Sequence, residues 1–460
     1  MIMTTDAAVT RTVAQYVRDA DLGGASEAAL DQARRTLVDT VAVAVAGGRE
    51  PAVRIVRDTV ATGPDGPAQV LADGSRATAA DAALLGAVAG HALDYDDVVD
   101  HIYGHPSVVL WPAVLAAGQS VGATERQIIE AYLAGFDVQM ALAEGIDVRR
   151  HYARGWHSTA TLGVVAAAAG VARLLCPDVE SMAHALGVAA SMAGGSRQNF
   201  GTMTKPLHAG LAARDGVLAA VLAADGFTAD ESQLEGPLGF FALYDTREQL
   251  AGVTAALGAE EPGAAILRRR INVKRYPACY NTQRMSNAAL DLFNGSERAA
   301  DIKHVQVTVE PGGLDPLIHH RPRSGLEGKF SAEYVVAAAL LDGRLGLDTY
   351  TDAAVTRPEV QALAERVDVT EQRVPPRGPA EWDQAYAVIR VELADGSVRE
   401  TRVDVPRGDC RAPLSDAELE AKLKDCVSYS GMAVDPGELS AELFDFGSGT
   451  VFTGFAALEP

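Results

Sequence analysis

The sequence predicts a mainly α protein: a large all-helical domain with a smaller α+β domain inserted towards its C-terminal end. Three observations carry that reading. From residue 5 to about 265, apolar residues recur at three- and four-residue spacing, with no strand alternation worth the name. Near 270 the pattern turns to period-two segments mixed with helices. After about 405 it is helical again. The expected division is therefore 1–268 for the first part of the helical domain, 269–404 for the α+β domain and 405–460 for the helical return.

The helical half reads as one helix after another. "AAVTRTVAQYV", "ASEAALDQARRTLVDTVAVAVAGG", "DAALLGAVAGHALDYDD", "ERQIIEAYLAGFDVQMALAEGI" and "HAGLAARDGVLAAVLAADG" carry helical periodicity, and several stop on Gly. The run 158–172, "STATLGVVAAAAGVA", is too short and too rich in Ala, Gly and Thr to span a bilayer, so a buried helix is expected. In the second part, "DIKHVQVTVEPGG" alternates, and "AYAVIRVELADGSVRETRVDVP" predicts a hairpin turning at Asp395-Gly396. "GKFSAEYVVAAALLDG" and "RPEVQALAERV" read as helices between them, and "SDAELEAKLKDCV" and "DPGELSAELFDF" supply the helical return.

Composition narrows the function. The chain has 460 residues, 48% hydrophobic and only 6% aromatic, so close helix packing on small side chains is expected. A net charge of −21 argues against a nucleic-acid partner, which needs clustered Lys and Arg. No basic segment leads into an apolar core at the N-terminus, and no membrane association is expected. Cys176, Cys279, Cys410 and Cys426 lie far apart with no CxxC spacing, which suits reduced thiols, no structural zinc and a cytoplasmic location.

Four stretches carry candidate chemistry. The first, "HALDYDDVVDHIYGHPS" (91–107), packs four aspartates and three histidines directly behind an apolar helix. Its "DDVVD" matches the DDxxD pattern with which all-helical isoprenoid enzymes hold magnesium diphosphate, through Asp96, Asp97 and Asp100. There is no second aspartate-rich motif and little aromatic lining, so a polar helix end is expected, with Asp96 and Asp100 solvated. Asp94 shares a helix face with His91, and His105 sits on a Gly-Pro turn that can aim it into a cleft. The second, "RRHYARGWHSTATLG", sets Tyr152 and His157 ahead of a helix that Ser158 or Thr159 can cap, a favourable seat for a carboxylate. The third, "GGSRQNFGTMTKPLHAG", flanks Lys205 with apolar residues; burial there would penalise its charge and suit it to proton transfer. The fourth, "INVKRYPACYNTQR", places Lys274 and Arg275 on a rigid turn where the two domains meet. Proton carriers and anion-holding cations, with no metal set and no dinucleotide fingerprint, suit cofactor-free proton transfer beside a carboxylate.

The motifs "HALDYDD…GHPS", "GWHSTATLG", "GTMTKPLHAGLAARDG", "VKRYPACY" and "GKFSAEYVVAAALLDG" resemble, in order and spacing, those of the MmgE/PrpD family. The resemblance covers nearly the whole chain. It implies a helical domain built from both chain ends, a smaller α+β lid, a homodimer, and activity on small di- or tricarboxylic acids without metal or organic cofactor. "HYARGWHSTATLG" and "NFGTMTKPLHAGLAARDGVL" look most like the iminodisuccinate epimerase branch, which implies Tyr152 and Lys205 as an acid/base pair. In the decarboxylase branch the matching residues are Asp94, His105, His157, Lys205 and Lys274. The chain departs from that branch by one inserted residue between Asp94 and His105, by Val98 in place of a threonine, and by Cys279 in place of a histidine; Gln283 stands where dehydratases commonly carry one. His101 and Tyr103, in the insertion, are placed to reshape the pocket mouth.

The expectation is thus a cofactor-independent enzyme that moves a proton at the carbon α to a carboxylate. Epimerase or isomerase chemistry stands first, and a lyase (dehydration or decarboxylation) is the alternative. Tyr152 and Lys205 act with His105 and His157, while Asp94, His208, Lys274 and Arg275 meet the substrate.

Overall fold

Small side chains set how closely the helices approach. In the computed structural model, which describes residues 8–60, 66–244, 249–259, 261–293, 295, 299–379 and 385–459, α1 (Glu27–Gly47) and α2 (Ala79–Ala92) both open on side-chain caps. Ser26 Oγ accepts from the Ala29 N–H at 3.3 Å, and Thr78 Oγ1 from that of Asp81 at 3.1 Å. A short strand, β1 (Val98–Val99), follows, and then α3 (Ser107–Val121), α4 (Glu125–Glu144), α5 (Val148–Ala153), α6 (Gly163–Leu175) and α7 (Thr204–Ala224). Helix α7 packs against both α2 and α6. Gly210 makes the first contact possible, since a Cβ there would lie 2.9 Å from the Leu84 carbonyl oxygen and 2.3 Å from Val88 Cγ2. The apolar run 158–172 is buried within this layer, and the small alanines that argued against a membrane span are what permit the packing.

Beyond 270 the chain builds a second core. After β2 (Ile271–Asn272) and α8 (Gln283–Leu292) comes β3 (Ile302–Val309), then α9 (Ala332–Asp342), β4 (Val367–Glu371), β5 (Ala387–Leu393) and β6 (Val398–Val403). The sheet order is β4-β3-β5-β6, with β3 parallel to β4 and the other neighbours antiparallel. The predicted β5–β6 hairpin is present, its Gly396 at φ 86° and Asp395 Oδ1 accepting from the Ser397 N–H at 2.9 Å. Val305, Val307, Ile389 and Val391 pack with Met285 and Ala288 of α8 and Val335 of α9. Helix α10 (Asp416–Ser430) leaves that core and packs on α1, placing Leu419, Leu423 and Cys426 among the residues of the first.

One feature departs from the expected all-helical first half. Val98 and Val99 pair antiparallel with Asn272 and Ile271, and a second two-residue pair joins 68–69 to 76–77. The β1–β2 bridge matters for function because it fastens the charged stretch behind α2 to the segment that carries Lys274.

Gly210→Val should lower stability by about 1–3 kcal/mol through overpacking against α2, read as a shift in the urea unfolding midpoint. An unchanged midpoint would contradict so close a contact.

Candidate active site

The last turn of α2 ends with a left-handed residue, Asp94 (φ 50°), which directs its carboxylate inward beneath the helix. Three lysines from three distant segments take the carbonyls of this turn in succession. Lys329 Nζ donates to Leu93 O at 2.7 Å, Lys274 Nζ to Asp94 O at 2.7 Å and Lys422 Nζ to Tyr95 O at 2.8 Å. Cations at a helix C-terminus are favoured by the exposed carbonyl dipoles. The arrangement gathers α7, the 273–277 turn, the segment before α9 and α10 around one turn.

Asp94 is the centre. Its Oδ1 accepts from Lys205 Nζ at 2.9 Å and from Lys274 Nζ at 2.8 Å, while the buried Oδ2 has no hydrogen-bond partner among the described residues. Burial alone would raise this carboxyl, but the two ammonium groups hold it well below the usual carboxylate range. Burial likewise works against the charge of Lys274, and Asp94 and Asp96 outweigh it and raise its pKa.

Histidines close the other side. His91 Nδ1 lies 2.9 Å from Asp96 Oδ2, so that nitrogen carries the proton and donates. Its Nε2 is then a lone pair, which accepts from Lys205 Nζ at 2.9 Å. Burial pushes His91 down to about 3, with Lys205 adding to the effect, so the ring is neutral. His105 Nδ1 faces two acceptors, Asp97 O at 2.8 Å and Asp96 Oδ2 at 3.1 Å, which leaves its Nε2 unprotonated and 3.9 Å from Asp94. The rings of His91 and His105 meet edge-on at 4.5 Å, and His157 stacks on His91 at 5.9 Å. His157 Nδ1 is 3.2 Å from His208 Nδ1, one turn beyond Lys205 on α7. Burial and the Lys205 charge keep His157 well below its ordinary value. Lys205 itself is only 4% exposed and lies 5.3 Å from the Phe200 ring.

The structure therefore brings together Asp94, His105, His157, Lys205, His208 and Lys274. Tyr152 stands at the edge of this group, packed against the second core, with Tyr103 5.6 Å away and the Arg197 guanidinium 3.3 Å over its ring. Burial raises its phenol above the ordinary value, so it is a protonated acid at neutral pH. Cys279 is buried nearby, and burial pushes its thiol up to about 11. Gln283 serves the fold instead: its amide spans Tyr276, accepting from N–H at 3.1 Å and donating to O at 3.0 Å.

Several expectations are corrected. Arg275 does not turn into the site; its side chain is 44% exposed and pairs with Glu418 at 3.2 Å. His101 points to the Met140 carbonyl and Glu144, not the pocket mouth. Neither Ser158 nor Thr159 caps the helix at 158, because His157 occupies the cap position; Thr159 Oγ1 instead accepts from the His105 N–H at 3.1 Å. Asp96 is fully buried between two histidines, not solvated. The DDxxD aspartates diverge: Asp97 meets Ser107, with burial lifting it to about 8, and Asp100 lies exposed on the following turn. A different set, His91, Asp94, Asp96 and His105, brings possible ligand atoms within 4.8 Å of one another. The Lys205 and Lys274 ammoniums already pair with Asp94 Oδ1 in this set.

Sequence reasoning misread Asp96 as solvated and missed three further buried residues: Lys329, Lys422 and Asp39, the last two in contact at 2.6 Å. Asp39 left a signal as the lone charge in "TLVDTVAVAVAGG", and Lys329 as a lysine between Gly and Phe ahead of an apolar helix.

Comparison with known proteins now decides the family. The MmgE/PrpD N-terminal domain matches residues 11–252, and the MmgE/PrpD C-terminal domain matches residues 276–435. The chain belongs to the MmgE/PrpD family. As a member it is an enzyme. Human cis-aconitate decarboxylase is similar, 28% identical over 75% of this chain and 71% of its own length. Cis-aconitate decarboxylase of Aspergillus terreus is 26% identical over 86% of this chain and 84% of its own. Residues 253–275 lie between the two family matches, and this MmgE/PrpD enzyme places Lys274 at the end of that stretch.

The neutral, buried His91 sets a pH dependence. Unfolded, it takes up a proton near 6.5, and folded only near 3, so between these values the unfolded chain binds more protons. Stability should thus fall as pH drops below 6.5, by about 1.4 kcal/mol per pH unit for this group. Urea unfolding at pH 7 and 5.5 should show a shallower decline for His91→Gln than for wild type; equal slopes would contradict the assignment.

Proposed function

We propose that this MmgE/PrpD enzyme is a cofactor-independent lyase of a small di- or tricarboxylic acid, of the decarboxylating kind. The similar cis-aconitate decarboxylases support this, and one observation carries it: a doubly salt-bridged Asp94 between Lys205 and Lys274. Loss of carbon dioxide from a β,γ-unsaturated acid leaves an extended enolate, which must be stabilised and then protonated on carbon. Two ammonium groups sharing one carboxylate retain net positive charge, so they suit an anionic transition state. Lys205, donating to both Asp94 and His91, is built as a proton donor and anion holder more than as a free-amine base. Neutral His157, with Nδ1 engaged by His208, offers Nε2 for proton transfer to the reacting carbon.

The epimerase reading has one observation in its favour. Tyr152 is a protonated phenol at the edge of the same group, so it and Lys205 form two proton carriers of the kind an epimerase needs. Decarboxylation has the stronger support, which comes from the similar cis-aconitate decarboxylases.

Incubation with cis-aconitate and related small acids in D2O, followed by NMR, separates the two. The lyase reading predicts a product short of one carboxylate and carrying one deuterium. Deuterium entering the α carbon of recovered acid without carbon loss would overturn it in favour of epimerisation. Lys205→Ala should lower turnover at least 100-fold in the same assay with the circular dichroism spectrum preserved; wild-type rates would remove Lys205 from the chemistry.

A further inference from the structure

The guanidinium expected to hold a substrate carboxylate, Arg275, is engaged with Glu418 at the surface. Another stands beside the site without a carboxylate. Arg197, in the turn before α7, is half-buried. Its Nη1 donates to Tyr152 O at 2.6 Å and its Nη2 to Asp315 O at 3.5 Å, while the buried Nε has no hydrogen-bond partner among the described residues. Among the described residues no carboxylate forms an ion pair with it. That is notable in a chain with 61 acidic and 40 basic residues, where a half-buried cation has many anions to choose from.

Its surroundings connect it to the lysine cluster through Phe200. The guanidinium lies 3.3 Å over the Tyr152 ring and 5.6 Å from the centre of Phe200. The opposite contacts of Phe200 are the reacting groups: His157 at 5.1 Å between ring centres and Lys205 Nζ at 5.3 Å. One aromatic ring thus separates Arg197 from the Lys205 ammonium. Stacking on Tyr152 fixes the plane of the fork before any ligand arrives, which reduces the ordering cost of binding.

We propose that Arg197 is the specificity-determining group of this site: it binds the substrate carboxylate remote from Lys205 and Lys274 and selects di- and tricarboxylic over monocarboxylic acids. The inference rests on the reading of the site as one for small polycarboxylates. A planar guanidinium engages a carboxylate with two parallel hydrogen bonds, and a partly buried, unneutralised one gains most from doing so. The role is separate from proton transfer, so the substitution acts on affinity and selectivity first.

The test compares propane-1,2,3-tricarboxylate, which cannot react, with butyrate, each titrated into wild type, Arg197→Gln and Arg197→Lys by calorimetry and ligand-observed NMR. Wild type should bind the tricarboxylate more tightly than butyrate. Arg197→Gln should weaken the tricarboxylate at least 30-fold and butyrate less than twofold. Arg197→Lys, which keeps the charge but not the fork, should lose at least threefold on the tricarboxylate alone, and it carries the test if the Gln variant fails to fold. Unchanged tricarboxylate affinity in the variants, or equal weakening of both probes, overturns the role of Arg197 while leaving the polycarboxylate reading in place. Wild type that binds neither probe, or both equally, overturns that reading together with the inference.

Discussion

A single buried carboxylate between two ammonium groups is the interaction on which the rest of this molecule depends. Removing Asp94, Lys205 and Lys274 from water costs several kcal/mol per ion, and only close, well-directed contacts return that cost. Both lysines lie within 2.9 Å of Asp94 Oδ1, and Lys274 takes the Asp94 carbonyl as well. The backbone contributes too, since Asp94 adopts a left-handed conformation that non-glycine residues rarely hold. That strain is sustained because Lys329, Lys274 and Lys422 occupy the carbonyls of residues 93, 94 and 95. Site and fold are therefore one construction: the turn that carries the chemistry also ties both cores to the C-terminal helix.

Charge placement explains how the histidines share the work. His91 and His105 both direct Nδ1 at Asp96, so each presents a bare Nε2 towards the lysines. Neutral rings among cations avoid adding repulsion, and their lone pairs can accept protons from the neighbouring ammonium or from substrate. Asp96 thus orients two imidazoles without touching the reacting space, in the manner of a carboxylate behind a catalytic histidine.

Much of this was legible in the chain. The helical periodicity, the change near 270, the β5–β6 hairpin and the residues of the lysine-histidine cluster were all readable from pattern, turn chemistry and motif spacing. Asp96 was not, because local sequence shows a charge at a helix end but not that the fold closes it between His91 and His105. Arg275 misled for the converse reason: its neighbour Lys274 turns inward to Asp94, while Arg275, on the bend that follows, stays at the surface and pairs with Glu418. The long-range lysine partners, Lys329 with Leu93 and Lys422 with Asp39 and Tyr95, join segments more than 200 residues apart, which no local pattern reports.

The most direct measurement is the Asp94→Asn substitution, which keeps the shape and removes the charge. If the carboxylate organises both lysines, the variant should lose about 3–5 kcal/mol of unfolding free energy, as expected when one member of a buried ion pair is removed, and its turnover should fall at least 100-fold. An Asp94→Asn protein with wild-type stability and turnover would contradict the account at its centre.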